Sequence, residues 1–136
     1  MPLNNGGLPA PLFINIDCIN LPVADLEAAL AFYRDRLGHR LVWRTDTAAG
    51  LAFGDGVTEI VIRQHPNPPE TDIKVTSAPE AAERFRAAGG EIVAGPFEIA
   101  IGQCVVVRDP WGNQLVLLDA SKGLLQTDAE GKVIAP

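Results

Sequence analysis

Arg108–Asp119, with the sequence RDPWGNQLVLLD, contains the turn and one of the strands from which the fold of the chain can be predicted. The Asp-Pro-x-Gly sequence that begins at Asp109 suits a type I turn, because aspartate can hold the turn and proline presets φ. The residues on both sides are mostly β-branched or aliphatic, and each run is too short for a helix. We therefore predict a hairpin with strands over residues 103–107 and 114–118.

An amphipathic helix is predicted over residues 25–37. Leu26, Leu30, Tyr33 and Leu37 recur with the spacing that places side chains on one face of a helix. Most of the charged residues fall outside this stripe. An aspartate begins the segment and a glycine follows it, and these residue types are favoured at the two ends of a helix. The apolar face of this helix is expected to pack against a sheet.

The order strand, helix, three strands occurs twice in the chain. The second helix begins at a Ser-x-x-Glu sequence at residues 77–80, which is a capping-box signal, and ends before Gly89 and Gly90. Units with so few strands cannot bury a sheet alone, so the two halves, or the halves of two chains, must pack together. The predicted strands are residues 13–21, 40–44, 51–53 and 59–63 in the first unit and residues 73–75, 91–93, 103–107 and 114–118 in the second.

These elements divide the 136 residues into five segments. Residues 65–69 contain three prolines, cannot extend a helix or a sheet and are predicted to be a connector, which is assigned to residues 65–71. The last segment contains a turn sequence at residues 128–131, and it is either a small hairpin that latches onto a neighbour or disordered. The segments are a flexible N-terminal lead-in (1–11), a first βαβββ module (12–64), the linker (65–71), a second βαβββ module (72–120) and a C-terminal tail (121–136).

Composition and charge indicate an ordinary globular domain. The formal net charge is −6, and acidic and basic residues are interspersed, which argues against a nucleic-acid partner. The two cysteines, Cys18 and Cys104, are far apart and have no zinc-like spacing, so we expect reduced thiols in a cytoplasmic protein. No basic and apolar leader and no long apolar run are present, so neither secretion nor membrane insertion is predicted.

Several short motifs accompany the paired units. They are Asn20–Leu26 (NLPVADL), the pairs Phe32-Tyr33 and Leu37-Gly38, the sequence Ala88–Gly90 and Asp109–Asn113 (DPWGN). In this order and spacing they resemble the vicinal oxygen chelate superfamily of glyoxalases, bleomycin-resistance proteins and extradiol dioxygenases, over roughly residues 12–120. The resemblance implies an α+β fold in which two βαβββ modules form a curved mixed sheet around a cup. It further implies a small-molecule ligand in the cup, commonly a divalent metal, and a homodimer.

The residues at the metal-binding positions depart from the pattern of the family. The resemblance places the first-strand ligand at Cys18 and the last-strand ligand at Val116, and a valine has no donor atom. Glu59, Glu70 and Asp72 are weak candidates for a substituted metal site. We therefore expect no cofactor, with a divalent metal as the alternative.

The predicted ligand site follows from strand parity. The resemblance implies which alternate residues of each strand point toward the cup. On that basis Gln114, Val116 and Leu118 share the face toward the cup, and Cys18 and Asn20 lie opposite them. That lining is largely apolar with an amide at its edge, which suits burial of an organic molecule. No catalytic residue is assigned. The predicted ligand-binding residues are Cys18, Asn20, Trp43, Phe53, Trp111, Gln114 and Val116.

Three functions remain open on the sequence. The first is a protein similar to the bleomycin-resistance type that binds a small organic molecule without the usual metal. The second is a metal-dependent glyoxalase-, isomerase- or dioxygenase-like enzyme, in which the metal would act as a Lewis acid and a carboxylate would transfer a proton. The third is a subunit that lends its fold to a larger assembly.

Overall fold

The computed structural model of the protein describes residues 9–135, and the first eight residues of the predicted lead-in lie outside them. These described residues form two helices and ten strands, of which both helices and the first eight strands follow the predicted order. Helix α1 starts as an α-helix and continues as a π-helix. The elements are β1 (Asn15–Pro22), α1 (Leu26–Leu30, with π-helical Ala31–Arg36), β2 (Leu41–Arg44), β3 (Ala48–Ala52), β4 (Glu59–Arg63), β5 (Glu70–Lys74), α2 (Ala78–Ala87), β6 (Glu91–Ile99), β7 (Gly102–Arg108), β8 (Gln114–Leu118), β9 (Gln126–Thr127) and β10 (Val133–Ala135).

Eight of the strands form one open mixed sheet in the order β2-β3-β4-β1-β5-β8-β7-β6. In each module the first and last strands pair in parallel, β1 with β4 and β5 with β8. The two modules meet where β1 pairs with β5 in antiparallel orientation. The predicted α+β fold with two βαβββ modules is therefore confirmed, and both modules belong to one chain and one sheet.

The two helices cover the same face of the sheet. Helix α1 packs its Leu26 and Leu30 on Leu51 and Ile62 of the first module. Helix α2 packs through small alanine side chains on the corresponding residues of the second module, which include Val105, Val107 and Leu117. Because side chains alternate between the faces of a strand, the residues between these core positions point to the opposite face. We call that opposite face the cup face.

Helix α1 differs from the expected amphipathic stripe at its C-terminal end. The amide N–H of Leu37 donates to the carbonyl oxygen of Phe32 at 3.1 Å, which is the five-residue bond of a π-helix. A π-turn holds more residues than an α-turn, so the side chain that follows it is rotated away from the buried face. Leu37, predicted on the buried stripe, is 53% exposed.

Strand β6 continues six residues beyond its predicted end at residue 93, and strand β3 also differs from its predicted extent of residues 51–53. Strand β3 spans Ala48–Ala52, and all five residues are buried. Alanine and glycine have low strand propensity, so the local sequence did not indicate this strand, which is held by its pairing with β2 and β4. Strand β5 likewise starts earlier than residue 73, at Glu70, inside the segment predicted as a linker.

The C-terminal tail forms a small hairpin within its own chain. Strands β9 and β10 pair in antiparallel orientation. The carbonyl oxygen of Gly131 accepts a bond of 2.8 Å from the amide of Arg44, so the hairpin attaches to the outer edge of β2. At the other end of the chain, the carbonyl oxygen of Ala10 accepts a bond from Arg84 of α2. No helix within residues 9–135 is long and apolar enough to cross a membrane.

Asp119 joins three elements of the second module at the end of β8. Its side chain is 1% exposed. One carboxyl oxygen accepts from the amide of Ala78 at 2.6 Å, and the other accepts from the amides of Gln103 at 2.9 Å and Ser121 at 3.2 Å. Burial alone would raise the pKa of Asp119, but these donors hold it below its usual value.

We expect Asp119→Ala to lower the free energy of unfolding by about 3 kcal/mol, because several buried N–H groups lose a charged acceptor. Urea unfolding followed by circular dichroism measures this. Asp119→Asn is the conservative control and should lose less. A depressed carboxyl pKa stabilises the fold above the ordinary pKa of aspartate, so the difference between wild type and Asp119→Asn should shrink as the pH falls below about 4. A constant difference at all pH values would contradict this account.

Candidate functional site

One row of side chains crosses the middle of the cup face. Cys18 of β1 pairs with Glu59 of β4 on one side and with Asp72 of β5 on the other. Asp72 in turn pairs with Val116 of β8. The four residues lie on adjacent strands at the join of the two modules, which is where the resemblance places the ligand site. The structure therefore brings four separate segments of the chain together in one row.

The centre of this row is a buried network of hydrogen bonds. Asp72 Oδ2 accepts from Asn20 Nδ2 at 2.9 Å and from Cys18 Sγ at 3.4 Å. Asn20 Oδ1 accepts from Arg63 Nε at 2.9 Å. The other oxygen of Asp72, Oδ1, is buried and has no hydrogen-bond partner. Such an atom is costly in a folded protein unless a ligand, a proton or water satisfies it.

Trp43 lies flat across the first-module side of the cup face. Its indole Nε1 donates to Glu59 Oε1 at 2.9 Å, and the guanidinium carbon of Arg63 lies 5.9 Å from the ring centroid. The ring passes directly over Gly50 of β3, where a Cβ atom would overlap the indole and crowd Glu59 Oε1. A glycine at this position is therefore required for Trp43 to reach Glu59.

The second-module side of the cup face is apolar. Val106 of β7 pairs with Val116, and Cys104 pairs with Leu118. Both valines are half-buried, whereas Leu118 is buried. An organic molecule placed beside Asp72 would have this wall on one side and the polar network on the other.

The electrostatics of the row favour uncharged forms of its titratable groups. Burial raises the pKa of Asp72 to about 8, and the neighbouring carboxyl of Glu70 adds to the effect. Burial also raises the pKa of Glu59, against the opposing hydrogen bond from Trp43. The pKa of the Cys18 thiol is raised by burial and by the charge of Asp72, so this thiol is a poor nucleophile.

The predicted ligand-binding residues fall into two groups. Cys18, Asn20, Trp43 and Val116 belong to the row or its network, and Gln114 is an exposed residue on the same face of β8. Phe53 and Trp111 lie apart. Phe53 lies after β3 and beside His39, with ring centroids 6.2 Å apart. Trp111 is 83% exposed at the β7–β8 turn.

Sequence reasoning missed Arg63 and Gly50 as parts of the site. The alternation along β4 places Glu59, Val61 and Arg63 on one face, and this signal was available in the sequence. Gly50 gave no such signal, because its role depends on the path of Trp43 from the neighbouring strand.

Two surface grooves lie outside the cup face. One is lined by Pro22, Val23, Ala24, Gln64, His65 and Pro66. The other is lined by Glu98, Ile99, Ala100, Lys122, Leu124 and Gln126. Neither contains an unpaired buried polar atom, whereas the cup face has one at Asp72 within the described residues. The row is therefore the stronger candidate site.

Comparison with known proteins supports the assignment that the fold suggests. A family model described as Glyoxalase/Bleomycin resistance protein/Dioxygenase superfamily matches residues 15–117, which include the strands of the main sheet except for the last residue of β8. The chain belongs to this superfamily. The match covers the whole row from Cys18 to Val116.

Relatives of this glyoxalase superfamily member include enzymes of different classes. A lactoylglutathione lyase of Neisseria meningitidis serogroup A is 29% identical over 123 residues, covering 76% of this chain and 88% of the relative. The crystal structure of methylmalonyl-CoA epimerase from Mycobacterium tuberculosis is similar with a TM-score of 0.69 and 20% identity, covering 82% and 91% of the two chains. Homoprotocatechuate 2,3-dioxygenase from Brevibacterium fuscum gives a TM-score of 0.61 and 21% identity over 85% of this chain and 39% of that chain. The two structural likenesses show the fold alone.

The superfamily resemblance implies a divalent metal in the cup, but the side chains in the row do not fit one. Within residues 9–135, no three histidine, cysteine, aspartate or glutamate side chains converge on a common point. Val116 offers no donor atom, the Cys18 thiol and the Asp72 carboxyl are bonded to each other, and Glu59 is engaged by Trp43. A metal ion would have to break these bonds to gain ligands.

We expect Gly50→Ala to displace Trp43 from the cup face and to cost about 1–3 kcal/mol of stability through overpacking. Tryptophan fluorescence and near-ultraviolet circular dichroism should both change. Gly54→Ala is the matched control, because a Cβ atom at Gly54 meets nothing within 4 Å. Equal spectra for the two variants would contradict the proposed packing.

Asp72 should make the stability of the protein depend on pH. Its pKa is about 8 in the folded chain and 3.8 ordinarily, so between these values the folded chain retains a proton that the unfolded chain has lost. Unfolding free energy should therefore fall as the pH rises through this window, by up to about 1.4 kcal/mol per pH unit. Urea unfolding of Asp72→Asn should show a flatter profile, and Asp46→Asn, at an exposed carboxyl, should retain the wild-type slope.

Proposed function

We propose that this superfamily member binds a small organic molecule on the cup face without the usual metal ion. The observation that supports this most directly is the composition of the central row, which ends in Val116 beside a second valine, Val106. An apolar wall next to a few directed polar groups is the arrangement typical of sites for organic ligands.

The polar side chains of the site are held in fixed positions, which supports specific binding of one kind of ligand. Arg63, Asn20 and Asp72 form a chain of hydrogen bonds whose members hold one another in place. Trp43 is held in the same way by Glu59. Groups that are positioned before the ligand arrives lose little conformational entropy on binding. The site therefore combines an apolar surface with polar atoms that are already oriented.

The alternative is an enzyme related to the lyase, epimerase and dioxygenase neighbours. Two buried carboxyls with raised pKa values, Asp72 and Glu59, are the observation that favours it, because a raised pKa makes a carboxyl more able to hold and to return a proton. If the protein is an enzyme, these two carboxyls are the residues that would exchange a proton with the substrate.

We further propose a homodimer and a cytoplasmic location. The dimer follows from superfamily resemblance, and sedimentation analysis measures it. The location follows from the two cysteines, which are free in the described part of the chain.

The binding role is tested by protein-observed nuclear magnetic resonance with a library of neutral fragments. We expect shifts to concentrate at the methyl groups of Val106 and Val116. Val116→Asp should abolish these shifts by placing a charge in the apolar wall. Val57→Asp makes the same substitution at an exposed position between β3 and β4, outside the cup face, and should leave them. Shifts confined to other surfaces would overturn the proposal.

The metal content of the protein is a separate test. Elemental analysis of protein purified without a histidine tag should find far less than one divalent ion per chain. Two or more ions per dimer after growth without chelator would favour the enzyme alternative. A metal ion that stays bound requires protein ligands, and the side chains of the row bond to one another instead.

A further inference from the structure

Among the described residues, Asp72 is the one group on the cup face with a buried side-chain atom that lacks a hydrogen-bond partner. It is 8% exposed, its Oδ2 atom has two donors, and its Oδ1 atom has none. Its place in the row lies between Cys18 on β1 and Val116 on β8. The unpaired atom is therefore at the boundary between the polar network and the apolar wall.

The donor-to-acceptor direction of the hydrogen bonds in the network determines which oxygen of Asp72 would hold a proton. Arg63 has only donors, so the atom of Asn20 that meets it must be the amide oxygen. The amide nitrogen of Asn20 then points to Asp72 and donates to Oδ2. Because Oδ2 already accepts this bond and the bond from Cys18, a proton on Asp72 belongs on Oδ1.

The charges around Asp72 favour that proton. The titratable groups that act on it are Glu70 on its own strand, Cys18 on β1 and Cys104 on β7. The cations on the same face are Lys74, two residues along β5, and Arg63, which reaches the network through Asn20, and neither bonds to Asp72 among the described residues. The neighbour on β8 is Val116. Two carboxylates cannot bond to each other unless one is protonated, so Glu70 provides an acceptor for Oδ1 only when Asp72 is neutral. Burial and Glu70 raise the pKa of Asp72, in agreement with this assignment.

We propose that Asp72 anchors the ligand by donating a hydrogen bond from Oδ1 to a neutral carbonyl oxygen, with the apolar body of the ligand against Val106 and Val116. This inference rests on the proposed function and adds the ligand class, an uncharged organic carbonyl compound. Glu70 is exposed at the rim, so the carbonyl oxygen can replace it as the acceptor. No bond is made or broken other than hydrogen bonds.

Three probes with a common phenyl ring test this assignment: acetophenone as a neutral carbonyl compound, benzylamine as a cation and benzoate as an anion. Binding is followed through the methyl shifts of Val106 and Val116 at near-neutral pH, with probe concentrations up to about 10 mM. We expect acetophenone to bind at least about tenfold more tightly than the two charged probes, since benzylamine has no acceptor for the donor at Oδ1, and benzoate would bring its charge beside Glu70 and against the apolar wall.

Two variants at Asp72 separate anchoring from folding. Asp72→Asn keeps an acceptor toward Asn20 and a donor at the Oδ1 position, so acetophenone affinity should stay within about threefold of wild type. Asp72→Ala removes the donor, and affinity should fall by about tenfold, with folding verified by circular dichroism. Difference infrared spectra between wild type and Asp72→Asn should show a protonated carboxylic acid, whose band shifts when acetophenone is added.

Three other outcomes of these binding experiments would each overturn a different claim. Tighter binding of benzylamine that is lost in Asp72→Asn would show an ionised Asp72 and overturn the carbonyl assignment. Acetophenone binding at the two valines that Asp72→Ala leaves unchanged would overturn the anchoring role and leave the proposed function intact. If none of the three probes shifts the valine methyl groups, the proposed function falls and this inference falls with it.

Discussion

The pairing of β1 with β5 is the interaction on which the rest of the structure depends. It joins the modules into one eight-stranded sheet, and its register places Cys18 beside Asp72. The parallel pairs within each module then add Glu59 on one side and Val116 on the other. Because side chains alternate along strands, a slip of one residue in this pairing would exchange the cup face of a module for its buried core.

The two faces of the sheet are built on different principles. On the helix side, aliphatic residues of both modules pack under α1 and α2 in two separate clusters. On the cup face, small residues of β3 leave room for Trp43, and polar side chains from β1, β4 and β5 bond to one another. Burial of apolar side chains thus provides stability on one face, while the other face carries the oriented groups to which binding is ascribed.

Two buried aspartates show how the surroundings of a carboxyl determine its role. Asp119 has backbone donors on both oxygens, so its charge is satisfied and it fastens the end of β8 to α2 and β7. Asp72 has donors on one oxygen only, and its neighbour Glu70 is another acid. The first arrangement stabilises the charged form, and the second destabilises it. A carboxyl whose charged form is destabilised, at the centre of a site, is typical of a functional role rather than a structural one.

The sequence by itself determined the order of the elements, because helix caps, turn residues and apolar periods are local signals. The Asp-Pro-x-Gly turn, the Ser77 cap of α2 and the strand over residues 59–63 were all predictable in this way. The resemblance to the superfamily, counted from the turn and helix motifs, indicated Cys18 and Val116. Tertiary structure alone decided the extent of β3 and the π-helical end of α1. It also decided the network of Asn20, Arg63 and Asp72, because only strand pairing brings these three residues together. Those contacts join residues more than forty positions apart, and no local pattern encodes the register that makes them.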